Sequence, residues 1–203
     1  MNKTKLLTVL AIALMVIQCG CSAKLGRQTG FLSDYSKLDR QSDVSYRYIG
    51  PNLGAYSQFI VDPVKIHFHA SSKGGKLSAE DITDLQNYMH TAIVSAISDR
   101  YSIVYRPGPG VARLRLALTD LKKSKIVQNI WPGSKLAGTG LGGASLEAEL
   151  VDSRDGTQIG AVVESQLGNR MSLEGLSTWG DAKSVMDDWA KRLRERLDEA
   201  HGR

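Results

Sequence analysis

The sequence predicts an α+β fold, a two-layer sandwich in which a mostly antiparallel sheet packs against two amphipathic helices. Three observations predict it. Two long segments carry apolar residues at helical spacing, several segments between them alternate apolar and polar residues, and glycine or proline turns join these segments. Strands with one apolar face and helices with one apolar stripe bury those surfaces against each other.

The first 20 residues have the three-part plan of a secretory signal. Lys3 and Lys5 precede a run over 6–17 that is apolar except for Thr8, and small residues follow it. The run is shorter than the roughly 20 apolar residues that a helix needs to cross a bilayer. It therefore predicts targeting, and residues 1–20 take no part in the predicted fold.

Two cysteines follow the apolar run, and Cys21 is the one with a small residue, Gly20, before it. The arrangement resembles the lipobox of bacterial lipoproteins, although Gln18 stands where that motif usually has an aliphatic residue. The resemblance implies that Cys21 is lipidated with several acyl chains such as palmitate, and Ser22, where aspartate would retain the protein in the inner membrane, implies the cell outer membrane. Stable anchoring takes at least two chains. The alternative is cleavage after Ala23, which releases a soluble periplasmic protein.

The rest of the chain predicts a tether with an arm, followed by one domain. Residues 21–57 show no sustained period and contain scattered glycines, which predicts a lipidated tether that becomes an ordered N-terminal arm. The apolar residues from Phe31 to Leu38 follow helical spacing and predict one or two turns that dock on the core. Residues 58–203 predict a single α+β domain.

Charge and cysteine content exclude several classes of protein. The formal net charge of the whole chain is +5, and removal of Lys3 and Lys5 with the signal lowers it by two. This is too mild for nucleic-acid binding. No cysteine follows Cys21, so the sequence predicts neither a disulfide framework nor a thiolate metal site.

The predicted strands cover 58–68, 101–105, 111–119, 145–151 and 158–165. Pro63 donates no ladder hydrogen bond, which predicts that the first strand is at an edge or bulged there. Leucines alternate with Arg113 and Arg115 in the third strand and with Glu147 and Glu149 in the fourth, so each is predicted to have one buried and one wet face. The turn at 152–156 predicts antiparallel pairing of the last two strands.

The two helices are predicted at 78–99 and 179–200. Ser78 is a good N-cap, and Asp81 follows at the position where a capping box has an acid. The second helix carries acidic and basic residues four positions apart on its polar side. Both apolar sides are predicted to lie on the sheet.

Several motifs together resemble a family of bacterial lipoproteins catalogued as domain of unknown function 3313. They are GFLSDYSKL at 30–38, VDPV at 61–64, PGPG at 107–110 leading into RLALTD at 115–120, and WGDA at 179–182 with WA at 189–190. Each motif is weak alone, and their order over nearly the whole mature chain carries the resemblance. It implies an envelope location and brings no activity, cofactor or site residue.

No residue set predicts a catalytic, cofactor or metal site. The glycines at 138–143 satisfy G-x-G-x-x-G, but a strand follows them where a dinucleotide site has a helix, which predicts a mobile surface loop. His67 and His69 share a strand face, yet no third ligand lies near them in sequence, which favours a polar strand face. Three aspartates near strand ends could in principle pair as acid and base, but a turn or strand-end role is favoured for each: Asp62, Asp120 and Asp152.

The predicted function is that of a lipid-anchored envelope protein on the periplasmic side of the outer membrane. Trp131, Leu136 and Leu141 define a candidate partner-binding loop, because a tryptophan beside flexible backbone is a plausible anchor, and the alternative is that Trp131 caps the core. A non-enzymatic binding or assembly module with an envelope protein partner predicts an exposed apolar patch. The alternative, a small envelope hydrolase with an unrecognised carboxylate or histidine site, predicts a cleft with perturbed titratable groups.

Overall fold

The computed structural model of the protein describes residues 28–68, 77–126, 141–169 and 177–203. Within these ranges one sheet of eight strands faces a layer of two helices, so the predicted α+β architecture is confirmed. The predicted signal and Cys21 lie outside the described residues.

The strands follow the predicted order with two additions near the N-terminus. They are β1 (Asp39–Ser42), β2 (Ser45–Ile49), β3 (Gln58–Val61), β4 (Lys65–Ile66), β5 (Ser102–Ile103), β6 (Val111–Lys122), β7 (Gly143–Asp152) and β8 (Gln158–Leu167). The helices are α1 (Ala79–Ile97) and α2 (Gly180–Ala200), and one turn of 3-10 helix at Leu53–Ala55 follows β2.

The sheet runs β1-β2-β8-β7-β6-β3-β5, and β4 pairs with β6 on the same side as β3. The pairs β1-β2, β2-β8, β8-β7 and β7-β6 are antiparallel. The pairs β6-β3, β3-β5 and β4-β6 are parallel. The break between β3 and β4 falls at Pro63, which has no N–H for the ladder, as the sequence predicted. The turn at 152–156 joins β7 and β8 as an antiparallel hairpin, with Gly156 at φ 76°.

Helix α1 begins as its sequence predicts. The Ser78 hydroxyl accepts the Asp81 backbone N–H at 3.0 Å, which satisfies one of the free donors of the first turn. Leu85, Met89 and Ile93, four residues apart, are at most 1% exposed and belong to the core between the helices and the sheet. Burial of each contributes roughly 1.5–3 kcal/mol.

The prediction that the glutamates of β7 lie on a wet face is wrong. Glu147 and Glu149 are 0% and 1% exposed. Residues 28–38 cross this side of the sheet, where Phe31 and Leu32 belong to a second apolar cluster. The alternation correctly separates the two sides of β7, but a segment more than 110 positions earlier in the chain covers the second side. The arm docks as predicted, without the predicted helical turns.

The sheet begins before residue 58, where the domain was predicted to start. Strand β2 pairs with β8 along its whole length, from Ser45 opposite Glu164 to Ile49 opposite Gly160. A five-residue strand with an arginine at its centre has too short a pattern to show a sustained period. Residues 39–49 therefore belong to the folded domain.

Candidate binding site

An apolar cavity of about 140 Å³ lies between the sheet and the two helices. Its walls are mostly aliphatic side chains of β6, β7 and β8 below and of α1 and α2 above, and they include Leu116, Ala148, Val162, Met89 and Leu193. A dry protein cavity of about 150 Å³ is known to admit benzene. The space is therefore sufficient for about six carbon atoms.

Small residues of the sheet leave this space open. Gly160 of β8 lies opposite Leu150 of β7 and Ile49 of β2, all three lining the cavity, and it adds no side chain. The nearest atom to a Cβ at Gly160 would be the Tyr48 carbonyl oxygen, at 3.6 Å, which is an ordinary contact distance. The backbone at Gly160 can therefore carry a side chain, and its absence leaves room for a ligand.

The cavity opens between β2 and α2. Helix α2 packs on β7 and β8, while β2 lies one strand further out. Ile49 of β2 lines the cavity and is 43% exposed. Apart from Glu149 of β7, the polar lining residues also lie at this side, on β2, on the second half of β8 and on α2.

Three arginines surround the opening, and we call Arg47, Arg192 and Arg196 the arginine rim. Arg192 donates to Glu164 Oε1 at 2.8 Å and to the side-chain oxygen of Gln166 at 2.9 Å. The other two have weaker partners. Arg196 pairs at 2.8 Å with a glutamate that is 60% exposed, Glu199, and Arg47 donates at 3.0 Å to the uncharged Gln41 side chain.

The arginine rim has an excess of positive charge. The pKa of Arg47 is lowered, first by desolvation and second by the positive charge of Arg196, and Glu199 and Glu164 oppose the shift only in part. A lowered pKa means that the charged form of Arg47 is disfavoured at this site. A negative group placed between the two guanidinium groups would relieve that cost.

The buried carboxylates on the other side of the sheet hold the N-terminal arm. Glu149 accepts the Ser33 N–H at 2.9 Å, the Ser33 hydroxyl at 2.6 Å, the Gln158 amide at 2.9 Å and Arg115 Nη1 at 2.6 Å. A buried charge is tolerated only with such partners. Glu149 therefore joins β7, its neighbouring strands and the arm.

Glu147 has the same role nearer the start of the arm. It accepts the Thr29 N–H at 2.6 Å and the Tyr35 hydroxyl. Burial and the bond to Glu147 raise the pKa of the Tyr35 hydroxyl, so Tyr35 remains a neutral donor. This arrangement binds the protein's own chain and leaves no open carboxylate for acid or base chemistry.

Within the described residues, the candidate metal and catalytic residues form no common site. The His67 ring lies against Phe31, with 6.2 Å between ring centroids, and His69 lies outside the described residues. No group of three metal ligands occurs in the part of the chain that the structure describes. Two of the aspartates, Asp120 and Asp152, lie at opposite ends of the β6–β7 pair.

Each of these aspartates has a local partner. Asp62 pairs with Arg113 at 2.6 Å. Asp120 accepts the N–H of the following residue at 3.0 Å, and Asp152 accepts the Arg154 N–H at 2.8 Å in the β7–β8 turn. These contacts are those expected of turn and strand-end residues.

The candidate partner-binding loop is described only at its end. Leu141 is 2% exposed, so its side chain lies in the interior. Trp131 and Leu136 lie outside the described residues, and the role of the loop stays a prediction. Neither helix in the described ranges combines the length and apolarity needed to span a bilayer.

Sequence reasoning did not find the pocket. The basic residues of α2 fall on the polar side that its pattern predicts, and β2 lies within residues 21–57, which are predicted as tether and arm. One signal was available, because an isolated glycine within a strand, such as Gly160, often marks close approach of another group or open space.

Comparisons with known proteins identify relatives of the chain but not an activity. The "Uncharacterized lipoprotein YdcL" of Escherichia coli (strain K12) is 22% identical over 212 residues, which cover 94% of this chain and 95% of that protein. The PelC dodecamer from Paraburkholderia phytofirmans has a TM-score of 0.42 and 13% identity, covering 72% of this chain and 96% of that one. Protein XCC0632 from Xanthomonas campestris has a TM-score of 0.42 and 12% identity, with coverage of 76% and 92%. Both structural likenesses are too distant to carry an argument.

A family model also matches most of the chain. The family model described as "Protein of unknown function (DUF3313)" matches residues 27–193, which include every strand and most of α2. The motifs that suggested this family fall within that range. The chain belongs to the DUF3313 family.

Proposed function

We propose that the protein is a lipid-anchored, non-enzymatic binding protein of the cell envelope that holds an apolar ligand in the pocket between β2 and α2. One observation carries the proposal, the apolar cavity of about 140 Å³ that opens at the arginine rim. Ligand sites are typically concave and mostly apolar, with a few polar groups that fix orientation. This pocket has that composition.

The proposed anchor is Cys21, which would hold the domain on the periplasmic side of the outer membrane. The lipobox resemblance around Cys21 supports it, as does the lipoprotein name of the relative YdcL. A protein partner in the envelope remains compatible with this location, through the loop that contains Trp131.

The polar groups near the cavity favour binding over hydrolysis. Glu164 is committed to Arg192 at 2.8 Å, and the buried Glu147 and Glu149 are bonded to the arm on the other side of the sheet. General base catalysis needs a carboxylate or imidazole that can reach the reacting proton. The described lining of the cavity offers arginines in that position, which orient an anion and do not accept protons.

The test adds a side chain at Gly160 of β8, where it occupies part of the cavity. The full-length lipoprotein in nanodiscs of zwitterionic lipid is irradiated with a photoreactive octanol, and labelled peptides are identified by mass spectrometry. We expect labels at Ile49 and Leu193, reduced about tenfold by Gly160→Val, which corresponds to a loss of about 1.4 kcal/mol of binding free energy. Gly108→Val is the matched control, because a Cβ at Gly108 also has its nearest atom at 3.6 Å and lies outside the pocket lining.

Two results would contradict the proposal. Labelling that Gly160→Val leaves unchanged would mean that the cavity does not bind the probe. Hydrolysis of an octanoyl ester by the wild-type protein that is lost in Gly160→Val would favour the hydrolase and overturn the non-enzymatic assignment.

A further inference from the structure

We infer that the pocket takes a single-chain amphiphile with an anionic head group, whose chain fills the cavity and whose head group lies between Arg47 and Arg196. The inference rests on the proposed function and adds the chemical class of the ligand. It follows from the size of the cavity, the distribution of charge around it and the register of the sheet beneath it.

The size and lining of the cavity favour one alkyl chain. The lining is predominantly aliphatic, so a sugar or peptide would lose hydrogen bonds to water without replacement. The volume of about 140 Å³ accepts about six carbon atoms and excludes the two chains of a phospholipid. A linear chain that enters from one end satisfies both conditions.

The register of the sheet places a charge at one end of an apolar row. Arg47 of β2 lies opposite Val162 of β8, Val162 lies opposite Ala148 of β7, and Ala148 lies opposite Leu116 of β6. All four line the pocket. Since neighbouring strands are about 4.8 Å apart, the row leads from the charge at the opening to a point about 14 Å inside. An amphiphile has the same order of groups, a charged head followed by a chain.

The charge at the opening favours an anion. Of the lining carboxylates, Glu149 is bonded to Arg115 and the arm on the opposite side of the sheet, and Glu164 is occupied by Arg192. Arg47 and Arg196 remain, and within the described part of the chain Arg196 forms its ion pair with an exposed glutamate. A guanidinium presents paired donors that match a carboxylate or phosphate, and two such groups define a site for one anionic head.

The electrostatics of Arg47 support the same conclusion. The positive charge of Arg196 contributes to the lowered pKa of Arg47, so the two guanidinium groups repel each other when the site is empty. A bound anion would attract both guanidinium groups and so offset the repulsion between them. A neutral ligand of the same length would leave it unchanged, which makes head-group charge the quantity to test.

The experiment compares three photoreactive probes of equal chain length, octanoate, octanol and octyltrimethylammonium. Each is used at pH 8, below its micelle-forming concentration, with the full-length lipoprotein in zwitterionic nanodiscs. We expect octanoate to label the peptides of Ile49 and Leu193 about tenfold more strongly than octanol, the gain expected for a charge-assisted hydrogen bond. The cationic probe should label them least.

Two variants test the head-group contacts. Arg47→Gln and Arg196→Gln should each bring the ratio of octanoate labelling to octanol labelling from about ten to near one. The matched controls are Arg40→Gln on β1 and Lys191→Gln on α2, whose side chains are 58% and 77% exposed and lie outside the pocket lining. These controls change the net charge equally and should keep the preference.

The possible results separate the inference from the proposed function. Equal labelling by octanoate and octanol, still sensitive to Gly160→Val, would overturn the anionic head group and keep the binding pocket. Absence of pocket labelling by all three probes would overturn both. The single-chain ligand would be overturned if octanoate were displaced only by nanodiscs that contain phosphatidylglycerol. It would also be overturned if cross-linking showed a second copy of the chain over the pocket opening.

Discussion

Asp152 shows how a single carboxylate fixes the turn between β7 and β8. It accepts the Arg154 N–H at 2.8 Å, contacts the Arg154 guanidinium and accepts the Tyr56 hydroxyl at 3.0 Å. The bonds to Arg154, first from its backbone and then from its side chain, lower the pKa of Asp152 to about 2. The Asp-x-x-x-Gly pattern predicted this turn, but the sequence did not indicate that Tyr56, almost a hundred positions earlier, would complete it.

The lowered pKa of Asp152 predicts a pH dependence of stability. The carboxyl titrates near 3.8 in the unfolded chain and near 2 in the folded one, so its contribution is complete above about pH 4 and is lost as pH falls from 3.8 to about 2. Asp152→Asn should lower the free energy of unfolding above pH 4 and reduce its decline below that pH. Urea denaturation followed by circular dichroism from pH 2 to 6 measures both. Parallel curves for the two proteins across this range would contradict the prediction.

Residue-level interpretation failed at Glu147 and Glu149 for a physical reason. Alternation along a strand shows that two sides differ, but it does not show what covers the polar side. A carboxylate bonded to backbone N–H groups of a distant segment has the same sequence pattern as one bonded to water. The available signal was in the arm, whose Phe31 and Leu32 are too apolar for a solvated tether.

At the scale of elements, the arm over 28–38 forms a third layer held by polar contacts at both glutamates. Apolar contacts alone would define the position of the arm on the sheet only weakly. Hydrogen bonds from Thr29, Ser33 and Tyr35 to the two glutamates fix the arm in one register. The arm therefore depends on buried carboxylates for its position and on Phe31 and Leu32 for burial.

This dependence predicts the effect of Glu149→Gln. The amide loses the charge that balances Arg115 and cannot accept all of the present donors, so we expect a loss of about 3 kcal/mol in the free energy of unfolding. Hydrogen exchange should rise in residues 28–38 before it rises in α1. Glu195→Gln, whose side chain is 53% exposed in an ion pair on α2, is the control and should change little. Unchanged exchange in the arm of Glu149→Gln would contradict the assigned role.

The elements with strong local patterns were predictable, and the short ones were not. Both helices and the three long strands β6, β7 and β8 lie within a few residues of their predicted ranges because periodicity extends over ten or more positions. The five residues of β2 are too few to show a periodic pattern. They form a strand because their backbone pairs with β8. The pocket between β2 and α2 was therefore not predictable from the sequence either.

At the scale of the whole molecule, the proposed anchor and the folded domain are separate in the sequence. Cys21 precedes the described residues, and no cysteine follows it in the chain. Residues after Cys21 therefore form no disulfide bond with one another. Changes at the anchor should alter where the protein resides without altering its stability.

Cys21→Ser tests this separation. We expect the variant to lose membrane attachment in cell fractionation, while Cys19→Ser remains attached, because only Cys21 follows a small residue. The thermal unfolding midpoint of the domain should be the same in both variants. Retention of Cys21→Ser in the membrane fraction would overturn the assignment of the anchor.

The path of the arm has a consequence for how the domain is held at the bilayer. Thr29, bonded to Glu147, follows Cys21 by only eight positions, and eight residues reach at most about 28 Å. The lipid anchor proposed at Cys21 would therefore keep Thr29 within that distance of the membrane. The arm covers the side of the sheet opposite the helices, so it leaves the pocket entrance beside α2 uncovered.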